Sequence, residues 1–184
     1  ITKGDAVKHP LGSLPETTDQ YSIVANLPYA ISSAWLESVL NTGRLPIRMV
    51  LMMQKEAVER IWANPGTKEY HALSIFISNA YEFTEKHQVS RKCFYPSPAV
   101  DSMLIRMDLS ENYFLFPKIL RVLIRKIFTQ RRKQLGSLAK KEDPVIGQII
   151  FEWLDSINQP YSSRPEQISA EQWKRLGELL AENN

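Results

Sequence analysis

From Tyr113 onward the hydrophobic pattern becomes purely helical, and that change sets what the chain can fold into. Up to about residue 109, apolar residues come in short runs closed off by prolines, glycines and polar turns. Tyr21-Ser22-Ile23-Val24-Ala25 reads as a strand. The continuous run Ile47-Arg48-Met49-Val50-Leu51-Met52-Met53, bounded by Pro46, has the length and flanks of a buried parallel strand. Between them, Ser32 or Ser33 caps a helix through about Thr42, with Trp35, Leu36, Val39 and Leu40 on one face and Gly43 ending it. Helices are expected over 55–62 and 70–80, and strands over 83–89 and 100–107. In the second half, Leu120, Leu123, Ile124, Ile127 and Phe128 fall on one helical face and Lys118, Arg121, Arg125 and Arg132 on another. Further helices run over 144–157 and from the Ser169 cap to about residue 181, with Trp153 and Trp173 as core. The expectation is an α/β part, residues 1–109, followed by a small all-helical domain, residues 110–184.

The sequence also excludes several classes. One cysteine, Cys93, rules out an internal disulfide, and His9, His71 and His87 have no ligand spacing, so no metal is expected. No apolar run is long enough to span a bilayer and no targeting pattern is visible, so a cytoplasmic setting is expected; a monomer is the expected state. Charge is informative through its distribution. Between Lys118 and Lys141 there are nine basic residues and no acid, which leaves 14 basic residues against 20 acidic ones elsewhere. A solvated helix face would intersperse acids at four-residue spacing. A one-signed block points instead to a polyanion, and nucleic acid is the expected partner.

The first strand runs into Asn26-Leu27-Pro28-Tyr29. That turn offers a side-chain amide oxygen, backbone carbonyls beside a ring-locked residue and a flat aromatic face. In an open α/β sheet, ligands bind at the carboxyl ends of strands. Two acceptors beside a stacking surface suit a planar amine such as the 6-amino group of adenine. Phe94-Tyr95-Pro96-Ser97-Pro98 is too proline-rich for a central strand or a helix interior, so it is a stiff loop. It either plugs the core or supplies a second side to a base pocket.

Five stretches together resemble the S-adenosylmethionine-dependent small-subunit rRNA adenine dimethyltransferases. They are Gly4-Asp5-Ala6, Asn26-Leu27-Pro28-Tyr29, Phe94 to Ser102, Phe128-Thr129-Gln130-Arg131-Arg132-Lys133-Gln134-Leu135, and Arg164-Pro165-Glu166. The resemblance implies a Rossmann-like class I methyltransferase sheet, present in part as its later strands, the fourth to the seventh, with a helical rRNA-binding domain after it. It implies that Asn26, Leu27, Pro28 and Tyr29 form the substrate-amine site, with Asn26 also next to the cofactor. Tyr29 and Phe94 stack the base, and Asp5 accepts from the cofactor's adenine amine. Arg121, Arg125, Arg131, Arg132 and Lys133 contact RNA phosphates. The chain departs from the family in lacking a Gly-rich loop and an acidic ribose-holding residue. None of its seven glycines forms Gly-x-Gly, so the chain looks like the family's carboxyl-terminal two-thirds. Residues 1–4 then read as the end of a third strand, an amino-terminal part is expected to be missing, and little cofactor binding is expected from these residues alone. The alternatives are a large-subunit rRNA or DNA adenine methylase, or a non-catalytic RNA-binding module for ribosome assembly.

Overall fold

The computed structural model describes residues 3–182. Ile1 and Thr2, read as part of a strand, lie outside the described residues; Lys3 and Gly4 are described and are not in a strand. Two compact units form. One comprises the chain up to Trp62 together with Ala80–Leu115, the other Ala63–Asn79 and everything from Phe116 onward.

The first unit is built on four strands, β1 (Ser22–Asn26), β2 (Arg48–Gln54), β3 (Tyr81–Val89) and β4 (Ser102–Leu109), in the order β1-β2-β4-β3. β1 runs parallel to β2, while β4 is antiparallel to both β2 and β3. The register sets Asn26 opposite Met52, and Ser102 opposite both Gln54 and Val89. The ends of β1, β2 and β3 and the start of β4 therefore share one edge of the sheet.

The apolar run of β2 is not buried continuously. Met49, Leu51 and Met53 are fully buried while Val50 and Met52 are half-buried, because one sheet face carries the core and the other is open. On the covered side Ile105 and Met107 of β4 join residues from two helices. Helix α1 (Ser32–Asn41) brings Trp35, Leu36, Val39 and Leu40, and α2 (Lys55–Ile61) brings Val58 and Ile61. Each such side chain contributes about 1.5–3 kcal/mol by leaving water. The open face bears Val24, 81% exposed, and a charged ladder in which Asp108 joins Arg48 and Arg106, and Arg106 also reaches Glu85. Hydrogen bonding from Arg48, followed by that from Arg106, holds the Asp108 carboxyl below the usual carboxylate range.

Ser32 does not cap α1 as expected. A 3-10 turn over Tyr29–Ile31 runs straight into the helix, so the cap position falls on Ile31 and the buried Ser32 hydroxyl donates back to the Pro28 and Tyr29 carbonyls. Gly43 ends the helix at φ 71°, a left-handed conformation that glycine adopts without a Cβ penalty.

The second unit holds α3 (Ala72–Ala80) as far as Asn79, α4 (Lys118–Phe128), α5 (Leu135–Ala139), α6 (Pro144–Ser156) and α7 (Ala170–Glu182). Residues 63–79, expected with the α/β part, group with these helices instead. The reason is that α3 is buried nearly all round, through Leu73, Ile75, Phe76 and Ile77, and a helix of that kind needs partners on every side. Phe76 packs on Phe116 with ring centroids 5.3 Å apart, Tyr70 Oη donates to the Ile168 carbonyl, and Asn79 Nδ2 donates to that of Ala170. Trp153 and Trp173 are fully buried and 4.7 Å apart, as expected of the core. Helix α5 is not among the elements the sequence predicts, since five residues carry no readable period. α6 passes it so closely at Gly147 that a Cβ there would lie 2.6 Å from the Ala139 carbonyl oxygen.

Candidate active site

At the shared sheet edge the Asn26 turn and the aromatic loop line one cavity of about 380 Å³. Asn26, Leu27, Pro28 and Tyr29 form one side and Phe94, Tyr95, Pro96 and Pro98 the other. Asn26 is the last residue of β1, held in the ladder by its backbone, and its exposed side-chain amide makes no hydrogen bond to the described residues. Leu27 anchors the turn: its side chain is buried and its N–H donates to the Met52 carbonyl at 3.2 Å.

The two candidate backbone acceptors differ in availability. The Pro28 carbonyl accepts from Ile31 N–H at 3.1 Å and from Ser32 Oγ at 3.3 Å, which occupies both lone pairs. No hydrogen bond among the described residues occupies the Leu27 carbonyl. Sequence alone did not separate the two, because the difference comes from the 3-10 turn that follows.

Tyr29 is half-buried, and its hydroxyl lies 2.7 Å from Ser102 Oγ on β4. Phe94 is half-buried, while the neighbouring Tyr95 ring is fully exposed. The aromatic loop is tied at its base. Asp101 accepts from the Arg91 N–H and from Gln88 Nε2, and these bonds, the Arg91 one foremost, hold its carboxyl below the usual range. Tyr95, Asp101 and Ser102 belong to the loop and strand pattern, but nothing in the sequence says what their side chains meet.

Asp5 lies elsewhere. It is exposed, its Oδ1 accepts from Val7 N–H at 2.9 Å, and with Lys3, Gly4, Ala6, His9, Pro10 and Gly12 it lines a separate cavity of about 560 Å³. The second carboxylate oxygen makes no hydrogen bond to the described residues, which leaves it open to an amine donor. The sequence offers no Gly-x-Gly cradle for the amino-acid end of S-adenosylmethionine.

In the second unit the basic residues divide by environment. Arg131 donates from Nε and Nη2 to Glu166 Oε2, at 2.7 and 2.5 Å, from Nη2 also to the Thr67 carbonyl and from Nη1 to the Lys68 carbonyl. Two pieces of the sequence resemblance, at Arg131 and Glu166, thus meet in an internal tie. Arg121 and Arg125 are half-buried on α4, where burial lowers the pKa of each guanidinium, and Arg125 lies over the Phe76 ring at 5.6 Å. Lys126 pairs with Glu142 at 2.6 Å. Lys118, Arg132, Lys133, Lys140 and Lys141 are exposed. Among the described residues there is no cluster of metal-ligating side chains, and no helix is long and apolar enough to cross a membrane.

A model of the ribosomal RNA adenine dimethylase family matches residues 1–154. The ribosomal RNA small subunit methyltransferase A of Opitutus terrae is 43% identical over 177 residues, 96% of this chain and 64% of that protein. The protein of the same name from Chlamydia caviae is 35% identical over 185 residues, 97% of this chain and 66% of its own length. The chain thus spans about two thirds of the length of these relatives. Among solved structures, a dimethyladenosine transferase from Plasmodium falciparum has a TM-score of 0.72 at 26% identity, covering 95% of this chain and 70% of the other. The 23S rRNA methyltransferase ErmE, at 22% identity and a TM-score of 0.61, is alike in fold, and the sheet described above is the later-strand portion of a Rossmann-like methyltransferase fold. With the Asn26 turn, the aromatic loop and the end of α4 all inside the matched stretch, the chain belongs to the ribosomal RNA adenine dimethylase family.

Proposed function

We propose that the cavity between the Asn26 turn and the Phe94 loop receives an adenine of small-subunit rRNA for methylation at its 6-amino group. The observation that carries this reading is the meeting, in one cavity, of an uncommitted amide, an uncommitted carbonyl and aromatic rings from two distant stretches. S-adenosylmethionine, when bound, supplies a sulfonium methyl group. The residues of this chain prepare the amine. An aryl amine's lone pair is partly delocalised into the ring, and hydrogen bonds from both N–H groups to Asn26 Oδ1 and the Leu27 carbonyl favour a pyramidal nitrogen. Those acceptors then face the positive charge that develops on nitrogen. Oriented dipoles of this kind contribute about 3–4 kcal/mol where they are pre-set, as a single oxyanion-hole donor does. After transfer the nitrogen carries one proton more than the neutral product, and that proton is lost to water at the open mouth.

Tyr29 and Phe94 hold the extruded base by its faces, each worth ~1–3 kcal/mol when the ring stacks. Asp5 is assigned to the cofactor's adenine amine. Exposed Lys118, Arg132, Lys133, Lys140 and Lys141 are assigned to RNA phosphates, which position the substrate without reading its sequence. Arg131 supports that surface from within, and half-buried Arg121 and Arg125 stand behind it. The relatives named for the small subunit and for dimethyladenosine favour this substrate over the large subunit.

The test is methyl transfer from labelled S-adenosylmethionine to unmethylated small subunits, with large subunits offered in parallel, by an enzyme carrying this sequence at the length of its relatives. Nucleoside digests should contain labelled dimethyladenosine. Label appearing only in large-subunit rRNA would replace the substrate, and RNA binding without transfer would support the assembly-module reading.

A further inference from the structure

The two walls of the acceptor cavity come from distant parts of the chain, and both are fastened to the same two consecutive residues at the start of β4. Ser102 is fully buried, and its hydroxyl reaches the Tyr29 hydroxyl across 73 residues of sequence at 2.7 Å. Asp101 fastens the other wall. Its Oδ1 accepts from the Arg91 N–H at 2.9 Å and its Oδ2 from Gln88 Nε2 at 3.0 Å, just ahead of the aromatic loop. The loop is then closed on itself, by Arg91 Nη1 donating to the Ala99 carbonyl and Ser97 Oγ donating to the Arg91 carbonyl. The Asp101 carbonyl accepts from Lys55 N–H at 3.1 Å, which joins this point to the end of β2.

We propose that Asp101 and Ser102 are the positioning residues of the acceptor site, setting the gap into which the base slides. Ser102 fixes the Tyr29 ring, and Asp101 fixes the base of the loop that carries Phe94 and Tyr95. Because the backbone of β4 is locked between β2 and β3, the two walls are held at a spacing that neither wall sets alone. Stacking is sensitive to such spacing, since displacement by about 1 Å in a reacting geometry costs on the order of 100-fold in rate. Neither residue touches the base. The inference rests on the adenine reading of the cavity.

The experiment titrates the full chain into a short RNA hairpin with a single 2-aminopurine in its loop and reads the quenching that accompanies stacking. Tyr29→Ala and Phe94→Ala should remove the quenching. Ser102→Ala, Tyr29→Phe and Asp101→Asn should each weaken the quenched complex about five-fold, as the loss of one net hydrogen bond does. Tyr29→Phe deletes the same bond as Ser102→Ala without disturbing the buried strand, so a folding defect in the latter does not obscure the result. The pair Tyr29→Phe with Ser102→Ala should be no weaker than either alone, and Ser102→Thr should restore quenching. If Tyr29→Ala and Phe94→Ala abolish quenching while Tyr29→Phe, Ser102→Ala and Asp101→Asn leave it intact, the positioning role is overturned and the adenine pocket stands. If none of the five variants changes it, the adenine reading falls and the positioning role with it.

Discussion

At the end of β1, Asn26 stands exposed with its amide making no hydrogen bond to the described residues. In the turn after α4, Arg131 is tied on several sides by Glu166 and the carbonyls of Thr67 and Lys68. Both residues sit in sequence patterns that mark the family, one closing a strand and the other in the turn that follows a helix. The fold uses them in opposite ways. Asn26 is held by its backbone, which leaves the side chain exposed and unpaired among the described residues. Arg131 is held by its side chain, which gives four of its five N–H groups to Glu166, Thr67 and Lys68. A family pattern therefore identifies a residue the fold depends on, and only the surroundings say whether it does so by contact or by construction.

The contrast is broken most readily at Arg131. Arg131→Met removes the partner of a half-buried carboxylate and the donors to two carbonyls, so urea unfolding followed by tryptophan fluorescence should show a loss of about 2–3 kcal/mol. Glu166→Gln should lose less, and the double variant should fall short of the sum, since both remove one interaction. A loss under about 0.5 kcal/mol would make Arg131 a surface residue after all.

A smaller effect, on binding alone, is expected next door. Replacing Arg132 and Lys133 by alanine should leave stability within about 0.5 kcal/mol, because both are exposed. It should lower the slope of log binding constant against log salt by roughly 2, one for each phosphate no longer neutralised. An unchanged slope would remove these residues from the RNA surface.

The ladder on the open sheet face gives a pH-dependent intermediate case. Asp108 has its folded-state pKa depressed, chiefly by the hydrogen bond from Arg48, so its contribution is present above the ordinary carboxylate value of about 3.9. That contribution should be lost as pH falls through the folded value. Stability of the unsubstituted chain should therefore exceed that of Asp108→Asn at neutral pH, and the gap should close on acidification. A gap that widens in acid would reverse the sign.

What the sequence disclosed follows the range of the interactions involved. The strand before Asn26, the helix from Ser32 and the apolar face of α4 are written in neighbours one to four residues apart, and they were legible. Asn26, Tyr29 and Phe94 could be singled out because an amide before proline and rings in a proline-rich loop are local oddities. The transfer of residues 63–79 to the helical unit was hidden, since it depends on Tyr70 and Asn79 reaching carbonyls more than 90 residues away. The same holds for Arg131 with Glu166 and for Tyr29 with Ser102, whose partners lie 35 and 73 residues off. The preference for the Leu27 carbonyl over that of Pro28 was hidden for a different reason. It turns on a single 3-10 turn, which sequence periodicity does not resolve.

The smallest stability effect of all is expected at Asn26, whose exposed side chain should be replaceable by alanine within about 0.5 kcal/mol. That makes its rate effect the most direct test of the acceptor site. Single-turnover methyl transfer to unmethylated small subunits should fall on the order of 100-fold or more in Asn26→Ala, with the urea midpoint unchanged. A variant that transfers methyl groups as fast as the unsubstituted enzyme would contradict the assignment of Asn26 as the amide that receives the adenine amine.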